Sequence, residues 1–146
     1  FYIMTHNAMN NQNLLLSQRI TQICLLLFAA IAIFGGTLQI YLGEPDTSPR
    51  LDNIHRFLAG IYLACGIISL WTAITIRNQN TLVYLLALGG LLGGTGRLIS
   101  MQMVGLPEPG SLWLTYLGSE IIVPLIIIIS QTATNRKLSA MRKVGA

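Results

Sequence analysis

Three charged residues stand where charge is expensive. Arg56, Arg97 and Glu120, with His55 beside the first, fall inside long apolar runs. A charge in hydrocarbon needs a partner or a water-filled recess, so these positions are where chemistry would concentrate. An arginine and a carboxylate at equal depth can exchange charge-assisted hydrogen bonds. Glu120, His55 and the tyrosines Tyr62 and Tyr116 are also residue types that do acid–base work. No nucleophile motif, metal-ligand spacing or phosphate loop accompanies them, and neither a cofactor nor a metal is expected. Gly89, Gly90, Gly93 and Gly94 match a nucleotide loop only in number, because they lie in an apolar run and not after a strand.

The runs that carry these residues define the architecture. The chain has 146 residues, of which 53% are hydrophobic and only 10% charged, and its mean hydropathy is +0.62. Soluble domains carry about 25% charged residues. An ordinary soluble domain, a disordered chain and a nucleic-acid binder are thereby excluded, which leaves a polytopic membrane protein. Four runs, 20–42, 54–76, 82–103 and 112–130, have the length of membrane-spanning helices. The expected fold is all-α: a four-helix transmembrane bundle over 20–130, preceded by a polar arm (1–19) and followed by a basic tail (131–146). The first run is too long for a signal-peptide core. The chain opens on Phe1, and Met4 is the candidate start. The Pro/Gly-rich stretches 43–53 and 104–111 read as loops, and the short polar stretch 77–80 predicts that spans two and three form a hairpin.

Charge sets the orientation. Arg19, Arg77, Arg136, Lys137, Arg142 and Lys143 fall in the arm, the middle connection and the tail, whereas the other two loops hold only Arg50. The positive-inside rule places both termini in the cytoplasm. Glu44, Asp46, Asp52 and Glu108 then lie outside, and Tyr41, Trp113, Trp71 and Tyr84 fall at the two interfaces, as aromatic belts do. Cys24 and Cys65 differ in depth by roughly 10 Å at 1.5 Å per residue, too far for a disulfide.

The same rise puts Arg56, Arg97 and Glu120 roughly 3, 9 and 12 Å below the outer boundary. An Arg97–Glu120 ion pair is predicted, capped toward the outer water by Arg56 and His55. Tyr116 precedes Glu120 by four residues and shares its face, and Tyr62 aligns with His55. Gly89, Gly93, Arg97 and Ser100 form one stripe on span three, and Gly89, Gly90, Gly93 and Gly94 are all expected to serve helix packing, because glycine allows close helix approach. Pro124 cannot donate to the Glu120 carbonyl, which predicts a kink. A weak repeat relates Gly35-Gly36-Thr37 to Gly93-Gly94-Thr95 and, at the same offset, Gln39 to Arg97. It suggests two parallel helical hairpins.

Two blocks carry a family resemblance. One is residues 53–66 (NIHRFLAGIYLACG), and the other comprises GRLIS at 96–100, GLPEP at 105–109 and YLGSE at 116–120. They resemble DUF4345, a family of small bacterial four-span membrane proteins of unknown function. Here the arginine directly follows the histidine of the first block. The resemblance covers roughly residues 30–130 and implies four helices, a bacterial inner membrane and an interest in Arg56, Arg97, Tyr116 and Glu120. It supplies no role for them.

The polar cluster then reads in two ways, as a buried ion pair that fixes helix register or as a recess for an amphiphile headgroup or a partner subunit. The expected function is non-enzymatic: binding of a lipid-like amphiphile, or service as an accessory subunit of a larger membrane complex. A small proton-coupled transporter using Glu120 and a lipid-modifying enzyme are the alternatives. Expected partners are membrane lipids, and other membrane subunits or a second copy of the chain.

Overall fold

Local chemistry explains where each helix starts and stops. The computed structural model describes residues 14–144. The candidate start at Met4 and most of the polar arm lie outside the described residues. Helix α1 is Leu16–Leu42, α2 Pro49–Ile74, α3 Thr81–Val104 and α4 Gly110–Val144, with a 3₁₀ turn at Ile76–Asn78 between α2 and α3. The described residues contain no strand.

α1 starts earlier than the expected 20 because the Gln18 side chain accepts the Leu15 N–H (3.1 Å) and satisfies a donor of the first turn. α2 starts at Pro49, capped by the Ser48 hydroxyl, which accepts the Leu51 N–H at 3.3 Å. Gly43 and Gly105 end α1 and α3 with φ of 63° and 94°, a region that side chains resist. α4 runs 35 residues, well past the expected end at 130. Residues 131–144 contain neither Gly nor Pro, and Arg142 and Lys143 in the last turn suit the negative end of the helix dipole. The basic tail is therefore helical through Val144.

All four helices are long and apolar enough to cross a membrane. Their outward faces carry large apolar side chains, such as Phe34 at 72% and Ile129 at 69% exposure. Such a surface is stable against lipid, not water. The molecule is a multi-pass membrane protein.

Glycines decide which helices pair. α1 packs along α2, and α3 along α4. A Cβ on Gly36 would sit 2.8 Å from the Leu63 nitrogen, and one on Gly66 2.8 Å from the Ile33 nitrogen. On α3, a Cβ on Gly90 would sit 2.7 Å from Pro124 Cγ, and one on Gly94 2.8 Å from Ile121 Cδ1. These positions admit the neighbouring helix because they lack a side chain. The repeat thus has a structural counterpart, with Gly36 and Gly94 each closing its own hairpin. Gly89 and Gly93, expected at the interface, have nothing within 4 Å. They lie about 100° round the helix from Gly90 and Gly94, off the packed face. The expected pairing of spans two and three is also corrected: α2 and α3 barely touch, although a short turn joins them.

The two hairpins meet through α1 and α4. Cys24, Leu25, Ala73, Ile76, Val83, Ala87 and Ile127 form the core, toward the end of the bundle that carries the termini (the terminal end). At the same end the Thr21 and Ser130 hydroxyls share a hydrogen bond of 2.8 Å, and those of Ser17 and Thr134 one of 2.7 Å. Gln131 donates to Asn80 (3.2 Å), as does Asn135 (2.9 Å). In the opposite half, near the loops (the loop end), α4 has no fully buried residue before Pro124.

Candidate functional site

The loop-end half holds the charge. Arg97 extends from the packed face of α3 toward α4, three residues beyond Gly94, and Gly94 lets Glu120 approach to within 3.3 Å of where its own Cβ would be. The guanidinium then engages Glu120 with two parallel bonds: Nε donates to Oε2 at 2.7 Å and a terminal N–H to Oε1 at 2.9 Å. This fork is the strongest geometry open to an arginine and a carboxylate. The predicted ion pair is present.

Aromatic rings complete the setting. The guanidinium carbon lies 5.5 Å from the Trp113 ring centroid and 5.6 Å from that of Tyr116. The two rings meet edge to face, 5.9 Å apart at 83°. Both ring faces attract the cation through their quadrupoles. From α2, Tyr62 stands within electrostatic reach of Glu120, Arg97 and Tyr116. Trp113 was legible only as a belt residue. Its spacing of three before Tyr116 and seven before Glu120 puts all three on one helical stripe, which is the pattern that identifies it.

The other candidates lie elsewhere. Arg56 does not cap the pair. It bonds Asp52 at 2.9 Å and donates to the carbonyls of Ile40 and Tyr41, closing the C-terminus of α1. Asp52 in turn accepts the Glu44 N–H at 2.7 Å. A Cβ on Gly43 would collide with both Arg56 and Asp52. His55 faces Glu44 at 3.9 Å, also on this loop. An arginine so near the helix start finds free carbonyls on the adjacent helix end sooner than a carboxylate deeper in the bundle. Gln39 and Ser100 are exposed, and no hydrogen bond described ties either side chain to the pair. Pro124 lies within an unbroken α4, its ring occupying the space that Gly90 leaves.

The pair has valence to spare. Arg97 has five N–H donors, and the two bonds to Glu120 leave three. Its side chain is 33% exposed and that of Glu120 18%. Arg97 stands in the loop-end half of α3, a helix that barely touches α2. Such an arrangement can hold a polar group of either sign at one point, because donor and acceptor capacity sit side by side. Among the described residues, no three His, Cys, Asp or Glu side chains are grouped so as to hold a metal ion. Cys24 and Cys65 are free, the first buried and the second half-buried.

No curated protein and no solved structure matches the chain. Residues 20–131 match the family model described as Domain of unknown function (DUF4345), a span that holds all four apolar runs and both blocks of the sequence resemblance. The chain belongs to the DUF4345 family.

Proposed function

We propose that the protein binds a membrane amphiphile without transforming it, the polar head at Arg97–Glu120 and the apolar chain in the gap between α2 and α3. The carrying observation is the partly exposed guanidinium with three uncommitted donors on α3, a helix that barely touches α2. A structural ion pair alone would be more stable with its remaining donors satisfied within the bundle. Because the pair is neutral as a whole, a zwitterionic or uncharged polar head suits it better than a strongly charged one. The distribution of Lys and Arg supports both termini in the cytoplasm and the site in the outer leaflet, and the family resemblance favours a bacterial inner membrane.

The test is native mass spectrometry of protein extracted in mild detergent. A reproducible lipid-sized adduct is expected, lost in Arg97→Gln and in Glu120→Gln but kept in Arg56→Gln, with all three variants folded by circular dichroism. A bare chain, or an adduct indifferent to Arg97 and Glu120, overturns the reading.

One further observation favours a second reading. Gly89, Gly93 and Gly96 have nothing within 4 Å and follow one side of α3. Such a face suits close approach by a helix of another membrane subunit. Co-purification of a stoichiometric partner, lost in Gly93→Leu, would favour the accessory role.

A further inference from the structure

The terminal end carries a second polar feature. α4 projects past the core and, over its last turns, bears Arg136, Lys137, Arg142 and Lys143. Thr132, Asn135, Arg136, Ser139, Ala140 and Lys143 line a shallow open groove along one side of this single helix. The members recur at helical spacing: 132, 136, 139 and 143 make one stripe, while Lys137 and Arg142 lie off it. Two of the lining residues are held in place, because Asn135 donates to Asn80 (2.9 Å) and to the Tyr84 hydroxyl (3.3 Å), and Tyr84 also pairs with Thr132 at 3.0 Å.

The charge there is uncompensated. The sequence has no Asp or Glu before Glu44 or after Glu120. Among the described residues, neither Arg136 nor Lys143 takes part in an ion pair. The two cations are seven residues apart, about 10.5 Å along the axis, so their long side chains can converge on one anion between them. Ala140 leaves the floor between them open. The groove begins about where the apolar part of α4 ends, which is the level of lipid phosphates.

We propose that this groove binds the phosphodiester headgroup of an anionic phospholipid in the leaflet that the terminal end faces. Arg136 and Lys143 clamp the phosphate, and the Ser139 hydroxyl meets the headgroup alcohol. The site is distinct from the Arg97–Glu120 pair, since Arg136 lies about 24 Å along α4 from Glu120.

The experiment uses native mass spectrometry of the full chain in detergent micelles doped equally with phosphatidylglycerol and phosphatidylcholine. Selective retention of phosphatidylglycerol is expected. The double variant Arg136→Gln/Lys143→Gln should weaken it at least about tenfold, because two charge-assisted hydrogen bonds to the phosphate are lost. Lys137→Gln/Arg142→Gln removes the same charge off the stripe and should leave retention nearly unchanged. Equal losses in both double variants would mean diffuse attraction to the surface and overturn the site, as would no loss in either. Displacement of the lipid by excess inorganic phosphate would mean a free-phosphate site and overturn the headgroup assignment. Neither double variant touches Arg97 or Glu120, so this result stands apart from the loop-end amphiphile.

Discussion

The two ends of the bundle solve the problem of polar groups in an apolar solvent in opposite ways. At the terminal end, hydroxyls and amides pair with one another: Thr21 with Ser130, Ser17 with Thr134, and Gln131 and Asn135 with Asn80. Every member is neutral, and these bonds tie α1 to α4 and fix the start of α3. At the loop end, the Arg97–Glu120 ion pair is held by two bonds, flanked by aromatic rings and left partly open. Neutral groups that satisfy each other close a structure, whereas charges with unused valence keep it receptive. Inside the bundle, the contrast separates the seam that joins the hairpins from the ion pair whose valence is left open.

The sharpest way to break this contrast is to strip the charge of its partner. Glu120→Leu leaves Arg97 unpaired and should destabilise the fold by about 2–4 kcal/mol, somewhat less than for a fully buried pair. Adding Arg97→Leu should recover part of that loss, and thermal unfolding in detergent reads both. Next is the hairpin seam. Gly90→Val places carbon against Pro124 and should cost about 1–3 kcal/mol, while Gly89→Val, one residue away, should stay within about 0.5 kcal/mol. Smaller still is a cut in the neutral network. Thr134→Val should lose about 0.6–1.5 kcal/mol, as interhelical hydrogen bonds in membranes do, and should do so without altering any lipid adduct. Apart from the Gly89→Val control, the smallest effect is expected for Trp113→Leu, about 0.5–1 kcal/mol from the lost cation–π contact. That variant should weaken the adduct at the loop end more than it weakens the fold. If Thr134→Val moved the adduct as strongly as Trp113→Leu, the division between the two ends would fail.

The parts of this picture that could be read from the sequence are those that depend on depth alone. Hydropathy marks four spans, and counting along them sets Arg97 and Glu120 at one level, so their pairing was predictable. Azimuth is harder, because it depends on where the neighbouring helices stand. Gly89 and Gly90 are adjacent in sequence, yet only Gly90 faces α4 and Pro124. The assignment of Arg56 to the deep pair overlooked a nearer partner, Asp52, one helical turn before it. The terminal network joins residues 109 and 117 positions apart. Isolated Ser and Thr residues in an apolar run do not announce such partners. The end of α4 was missed because hydropathy stops at the membrane boundary, while helix propensity does not.

The near absence of contact between α2 and α3 has a mechanical consequence. The hairpins are hydrogen-bonded to each other at one end, so that seam acts as a fulcrum. From Ser130 to Gly110, α4 forms a lever arm of about 30 Å. A tilt of about 5° between the hairpins then moves their far ends by about 2.6 Å, half the pitch of a helix turn. Separation of the hairpins at the loop end is thus set by small angular play at the opposite end, and under the proposed binding role side chains that never touch a guest would govern how wide a guest fits.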